Sequence, residues 1–86
     1  MKSLATVEFW QHFAALPASA QQNARKAYRL WTRDPQHNSL RFKKVRNVWS
    51  VRIPRGYRAL GLLKGDTVHW FWIGTHDEYK RILAGR

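Results

Sequence analysis

Over residues 40–74 apolar side chains recur at every second position, and short turn sequences interrupt the pattern. A period of two is typical of β-strands that bury one face. It predicts three or four short strands, at about 40–45, 48–53, 57–64 and 67–74. Gly65-Asp66 suits a two-residue hairpin loop, and Pro54-Arg55-Gly56 suits a three-residue one. We therefore expect an antiparallel sheet of consecutive hairpins.

The first third of the chain has helical periodicity instead. Thr6 is placed to cap a helix whose apolar positions follow a 3.6-residue spacing, namely Phe9, Trp10, Phe13 and Leu16. Pro17 ends this helix, and a second is predicted from near Ser19 to Asp34-Pro35, with Ser19 and Gln22 as a capping box. Its expected buried stripe is Ala20, Ala24, Ala27 and Trp31.

Together these patterns predict the fold class α+β, in one domain over residues 1–86. An N-terminal helical hairpin packs on a three- to four-stranded antiparallel sheet, and a short amphipathic helix through Leu83 follows the last strand.

Hairpin pairing divides the predicted sheet into two faces. The Gly65-Asp66 turn pairs Lys64 with Thr67, and continues as Leu62 with His69, Leu60 with Phe71 and Arg58 with Ile73. The face that packs on the helices is then Trp49, Val51, Ile53, Tyr57, Ala59, Leu63, Trp70 and Trp72.

The opposite face carries Arg52 and Arg58 side by side, paired by the three-residue hairpin. A tight turn at Arg46-Asn47 adds Arg41 to this row. Like charges opposite each other on neighbouring strands destabilise a sheet by up to about 1 kcal/mol, so a bound anion would relieve the repulsion.

The charge balance also indicates an anionic partner. The 86 residues include sixteen Lys and Arg against five Asp and Glu, a net charge of +11. Seven cations and no acidic residue lie between Leu40 and Gly61, namely Arg41, Lys43, Lys44, Arg46, Arg52, Arg55 and Arg58. A charge of this size favours a polyanion or an acidic protein as partner.

Several classes of protein are disfavoured by what the sequence lacks. Without cysteine there are neither disulfides nor thiolate metal sites, and the four scattered histidines show no metal-ligand spacing. We expect no metal and no small-molecule cofactor. The sequence shows neither a signal peptide nor a membrane-spanning apolar run, so we expect a cytoplasmic location and no membrane partner.

His76 is the histidine that this pairing places next to the arginine row, because it directly follows the last predicted strand. Imidazole exchanges protons near neutral pH, which suits acid-base chemistry. A histidine at a helix start is more often a surface or capping residue. Beside two arginines it becomes a candidate proton carrier.

The order of these features resembles the RelE/ParE superfamily of bacterial toxins from type II toxin-antitoxin systems. The resemblance covers nearly the whole chain and runs through Trp31-Thr32-Arg33-Asp34-Pro35, Asn38-Ser39-Leu40, Trp49-Ser50-Val51-Arg52-Ile53, Tyr57-Arg58 and Ile73-Gly74-Thr75-His76-Asp77-Glu78-Tyr79. It implies a metal-free endoribonuclease in which the 2′-OH of the RNA attacks the neighbouring phosphate, with mRNA and the ribosome as partners.

The resemblance also implies the catalytic residues. Arg58 matches an arginine that contacts the scissile phosphate, Arg52 matches a catalytic lysine, and His76 takes the place of a further catalytic arginine. Tyr79 is expected to position or assist His76. The expected RNA-binding residues are Arg41, Lys43, Lys44, Arg46 and Arg55.

Two other functions stay open at the level of the sequence. One is a ParE-like toxin that inhibits DNA gyrase without catalysis. The other is an RNA-binding module that stacks bases on exposed aromatic rings. It would require Trp49, Trp70 and Trp72 to be exposed, although the alternation places them toward the helices. For a toxin, the resemblance and the charge together imply an acidic antitoxin as partner.

Overall fold

Five strands form one sheet in the order β1-β5-β4-β3-β2 in the computed structural model, which describes residues 1–85. The strands are β1 (Lys2–Ala5), β2 (Lys43–Val45), β3 (Val48–Ile53), β4 (Tyr57–Lys64) and β5 (Thr67–Thr75). The helices are α1 (Val7–Ala14), α2 (Ala18–Arg33) and α3 (His76–Ala84), with a 3₁₀ turn at Asn38–Leu40. Helices α1 and α2 share one hydrophobic core with the sheet, and α3 shares a second. The predicted α+β class is confirmed.

Both N-terminal helices form where the periodicity predicts them. The Thr6 hydroxyl accepts a hydrogen bond from the Phe9 amide at 3.2 Å and caps α1. In α2 the predicted stripe of Ala20, Ala24, Ala27 and Trp31 is buried. The capping box at Ser19 is wrong, because α2 begins at Ala18, directly after Pro17, and Ser19 already lies inside its first turn.

The sheet has one strand more than the sequence predicts. Strand β1 pairs in parallel with β5, from Lys2 opposite Thr67 to Ala5 opposite Trp70. Most of its side chains are exposed, so no apolar alternation marks it. It is held by backbone hydrogen bonds, including Thr6 N–H to the Trp70 carbonyl at 3.0 Å. The prediction of three or four antiparallel strands is corrected to five, one of them parallel.

The predicted turns are present. Lys64 pairs with Thr67 and Ile53 with Tyr57, which leaves loops of the expected length. Val45 opposite Val48 confirms the tight turn at Arg46-Asn47, where Arg46 has φ 58°. Arg41 does not extend the row, because β2 begins at Lys43 and Arg41 follows the 3₁₀ turn in a left-handed conformation.

A bulge shifts the register halfway along the β4-β5 hairpin. Leu60 lies opposite Trp72 and Gly61 opposite Trp70, which leaves Phe71 unpaired and places Arg58 opposite Gly74. The predicted pairs of Leu60 with Phe71 and Arg58 with Ile73 are therefore wrong. A Cβ on Gly61 would lie 2.6 Å from Val68 Cγ1, so this point of the hairpin is too crowded for a side chain.

The bulge exchanges the faces of the residues that follow it. Ile73, predicted on the arginine face, packs in the core under α1 and α2. Trp72, predicted under those helices, packs with Val48, Leu60 and Tyr79 under α3. The arginine face therefore carries Trp72 in its apolar cluster under α3, where the regular alternation predicted Ile73.

No helix within residues 1–85 is long and apolar enough to cross a membrane.

Candidate functional site

Arg58 lies at the centre of the candidate site, on β4 and under α3. It is 9% exposed, and its Nη1 donates a hydrogen bond of 3.1 Å to the hydroxyl of Ser50, which is fully buried. The Arg58 Cζ lies 5.0 Å from the centre of the Tyr79 ring. Its Nε is buried and has no hydrogen-bond partner within residues 1–85.

The charge of Arg58 has no carboxylate partner in the part of the chain that the structure describes. The one salt bridge within residues 1–85 joins exposed Lys2 and Asp66, with Nζ and Oδ2 4.0 Å apart. The local acidic candidate Glu78 is engaged with Thr75 instead. Removing an ion from water costs several kcal/mol unless an opposite charge compensates. The arrangement therefore suits an external anion at Arg58.

The start of α3 fixes the positions of His76 and Tyr79. Thr75 and Glu78 form a capping box, in which the Glu78 amide donates to the Thr75 hydroxyl at 3.2 Å and the Thr75 amide donates to the Glu78 Oε1 at 2.9 Å. The His76 amide donates to the Gly56 carbonyl at 2.8 Å, which ties α3 to the β3-β4 loop. The start of α3 is thus bound both to its own cap and to the sheet.

Three of the predicted catalytic residues meet around the Tyr79 ring. The His76 ring lies 5.6 Å from the Tyr79 ring, centre to centre, and Arg58 lies against the same tyrosine. His76 is half-buried, whereas Tyr79 is buried. The cluster thus joins a cation, an aromatic phenol and an imidazole at the C-terminal end of β5.

Arg52 contacts a different part of the molecule. It lies opposite Arg58 in the register, as predicted, but its Nη1 is 3.5 Å from the Ser39 carbonyl oxygen. The two guanidinium groups are therefore not held by one common partner.

The predicted RNA-binding residues are exposed and fall into three places. Lys43 lies opposite Ser50 and shares the face of Arg58, while Lys44 lies opposite Trp49 on the other face. The others lie in turns or loops, namely Arg41, Arg46 and Arg55.

Ser50 was not among the predicted functional residues. Its buried hydroxyl is the hydrogen-bond acceptor that orients Arg58. The sequence could have indicated this role, because Ser50 is a small polar residue that alternates with Val48 and Arg52 on the arginine face. The predicted register did not bring Trp72 to this face, where it packs with Val48, Leu60 and Tyr79.

Residues 18–81 match the family model of the ParE-like toxin domain. The chain belongs to the ParE-like toxin family. Through it the chain is a member of the RelE/ParE superfamily, which confirms the predicted resemblance. A comparison with curated protein sequences finds no match.

Solved structures show the same fold for the toxin. It resembles RelE from the RelB-RelE complex of Methanococcus jannaschii, with a TM-score of 0.71 and 16% identity over 92% of this chain and 96% of that one. For isolated RelE of E. coli, the TM-score is 0.63 with 12% identity, over 94% and 97% of the two chains. For the toxin of the intact E. coli RelBE complex, the TM-score is 0.64 with 10% identity, over 86% of this chain and 94% of that one. At these identities the likeness establishes the fold.

The capping box makes the free energy of unfolding of the toxin depend on pH, with lower stability in acid. Hydrogen bonds from the Thr75 amide and hydroxyl hold the pKa of Glu78 below its ordinary value. Because the pKa of Glu78 is lower in the folded than in the unfolded protein, its ionised form stabilises the fold at pH values above the unfolded pKa of about 4.3. This stabilisation is lost as the pH falls through the pKa of the folded state. We expect Glu78→Ala to destabilise by about 0.5–1 kcal/mol at pH 7, at the low end for caps because the side chain is exposed.

Denaturant unfolding at pH 7 and below pH 4 measures this effect. The deficit of Glu78→Ala should shrink in acid, whereas Asp77→Ala, in the same helical turn, serves as the matched control. Equal pH dependence in the two variants would contradict the role of Glu78 in the cap.

Proposed function

We propose that the toxin is a metal-free endoribonuclease that cleaves messenger RNA on the ribosome. The observation that carries the proposal is the buried Arg58, oriented by Ser50 and Tyr79, with no carboxylate to neutralise it within residues 1–85. A guanidinium fork matches the oxygens of a phosphate. The neighbouring His76 supplies a group able to transfer protons.

In the proposed reaction the 2′-oxygen of the RNA forms a bond to the adjacent phosphorus, and the bond to the 5′-oxygen breaks. The products are a 2′,3′-cyclic phosphate and a free 5′-hydroxyl. One group must take the proton of the 2′-OH, and another must protonate the departing oxygen. The phosphorane carries extra negative charge that needs fixed donors.

We assign charge stabilisation to Arg58, because it is the cation that the surroundings orient most strongly. Arg55 and Lys43 are available to assist, whereas the Arg52 guanidinium lies at the Ser39 carbonyl. His76 transfers a proton at one end of the reaction, and Tyr79 holds His76 and Arg58 in place through its ring.

The exposed cations Arg41, Lys44 and Arg46 are assigned to the RNA backbone. Each phosphate contact to a single strand contributes about −0.7 to the slope of log K against log salt concentration. Binding should therefore weaken steeply as salt rises.

Gyrase inhibition is the second candidate, because the matching family model is that of ParE-like toxins. It requires no proton carrier beside Arg58. The base-stacking module fits poorly, since Trp70 and Trp72 are only 6% and 8% exposed.

Induced expression followed by mapping of mRNA 5′ ends tests the proposal. We expect new 5′-hydroxyl ends within translated reading frames soon after induction. The same transcripts without translation serve as the control. Intact mRNA together with DNA breaks or gyrase-DNA adducts would favour gyrase inhibition and contradict the nuclease.

We also infer an acidic antitoxin as partner. Related toxins were crystallised as RelB-RelE complexes, and a charge of +11 favours an acidic protein. A groove of about 440 Å³ between β1, α1 and α2 fits such a partner. Leu4 and Trp10 are 57% and 51% exposed there, and Arg25 and Arg29 line the same groove. An amphipathic acidic segment would cover both kinds of side chain.

Trp10→Ala should weaken antitoxin binding about 30-fold, the effect of losing an aromatic anchor worth about 2 kcal/mol. Co-expression with an acidic antitoxin that neutralises the wild type should then fail to neutralise the variant, although the toxin stays active. Val7→Ala, exposed on the same helix but outside the groove lining, is the control. Unchanged neutralisation of Trp10→Ala would show that the antitoxin binds elsewhere.

A further inference from the structure

Arg52 leaves the arginine row because the neighbouring strand is short. Strand β2 pairs with β3 only as far as Lys43 opposite Ser50, so the end of β3 beyond Ser50 is a free sheet edge. The Arg52 side chain passes this edge and reaches the Ser39 carbonyl. It thereby lines a cavity of about 160 Å³ whose opposite wall belongs to α2.

The walls of this cavity combine two cations with an apolar floor. Lys26 and Arg52 supply the charge and Asn23 an amide, while none of the residues 1–85 that line the cavity is acidic. The floor consists of the apolar residues Ala27, Leu30, Leu40 and Pro54. Cationic groups beside apolar side chains suit part of a nucleotide, with its phosphate on the cations and one edge of its base against the apolar residues.

The position of the cavity relates it to Arg58. Arg52 and Arg58 start from opposite positions on adjacent strands, about 5 Å apart, and then turn to different partners. One chain of RNA can therefore contact both guanidinium groups through different phosphates.

We propose that this cavity is a second nucleotide subsite, which binds an RNA residue near the one held at Arg58. The inference rests on the proposed ribonuclease function and adds to it a fixed path for the RNA, from the α3 side of the sheet over the β3 edge to α2. Arg52 then binds substrate at this subsite and does not share the scissile phosphate with Arg58.

Lys26→Ala tests the subsite, because Lys26 is an exposed helical residue and alanine preserves the helix. Arg33→Ala, exposed on the same helix outside the cavity, is the matched control. We expect Lys26→Ala to raise KM about 5- to 10-fold with little change in kcat, since binding away from the reacting phosphate is equal in ground and transition states. The same KM for both variants would overturn the subsite.

Binding without cleavage separates this inference from the function itself. The probe is a tetranucleotide RNA with 2′-O-methyl groups, titrated into labelled toxin and followed by amide NMR shifts. Shifts at Asn23, Lys26 and Leu40 that Lys26→Ala weakens support the subsite even if no cleavage is found. Cleavage by the wild type without such shifts overturns the subsite and leaves the nuclease standing. If inorganic phosphate binds at these residues as well as the tetranucleotide does, the subsite is also overturned, because the cavity would then be a general anion site.

Discussion

Replacing Arg58 by methionine is expected to reduce RNA cleavage about 100- to 1,000-fold without loss of stability. The loss of rate follows because a fixed donor to the transition-state charge is worth about that factor. Stability should stay roughly equal, because removing a buried charge that has no carboxylate partner within residues 1–85 is offset by the loss of the hydrogen bond to the buried Ser50 hydroxyl. A change of about 1 kcal/mol would shift Tm by about 4–8 °C in a domain this small.

Single-turnover cleavage of translated mRNA and thermal unfolding measure the two effects on the same samples. The control is Arg33→Met, which removes an exposed charge from α2 and should change neither. A lower cleavage rate without a loss of stability would show that Arg58 serves the reaction and not the fold. If Arg58→Met cleaves normally, or unfolds, then the guanidinium has a structural role and the proposed site is wrong.

His76→Gln is expected to reduce the cleavage rate about 100-fold or more, because glutamine retains hydrogen bonding but cannot transfer protons near neutral pH. The fold should survive, since the bond from His76 to Gly56 is made by the backbone amide and the ring is only half-buried. A pH profile of single-turnover rates adds a readout that a structural role would not move. The pH dependence of the rate should differ between the wild type and the variant, because the variant lacks the group proposed to transfer the proton.

His69→Gln is the matched control, because His69 lies on β5, seven residues earlier, opposite Leu62. Its rate and pH profile should follow the wild type. A His76→Gln protein that keeps both the rate and the pH profile of the wild type would remove His76 from the chemistry. Toxicity that persists in this variant together with DNA damage would favour the gyrase inhibitor.

The elements that depend on near neighbours in the chain were predictable. Thr6 caps α1, the alanine stripe of α2 is buried, and Arg52 pairs with Arg58 across a three-residue loop. The cap and the strand pairing join residues a few positions apart, and the helical period by itself identifies the apolar stripe of α2. The same reasoning placed His76 at the end of the last strand.

Apart from the capping box at Ser19, the predictions that failed depend on contacts between distant segments. Strand β1 exists because β5 offers it a backbone edge, and nothing in Lys2–Ala5 itself indicates that pairing. The bulge at Phe71 accompanies crowding of Gly61 by Val68 and Trp70, and it moves Trp72 to the face under α3. A regular alternation contains no signal for such a shift.

The helices, the hairpins and the gathering of cations on consecutive strands follow from the amino-acid order alone, because turn residues and periodicity act over a few residues. In contrast, long-range packing is needed for α3 to bury Arg58 against Ser50 and Tyr79, and for Arg52 to turn over the free edge beyond β2. The environment of each guanidinium depends on which remote segments cover it. That is set by the packing of the whole domain.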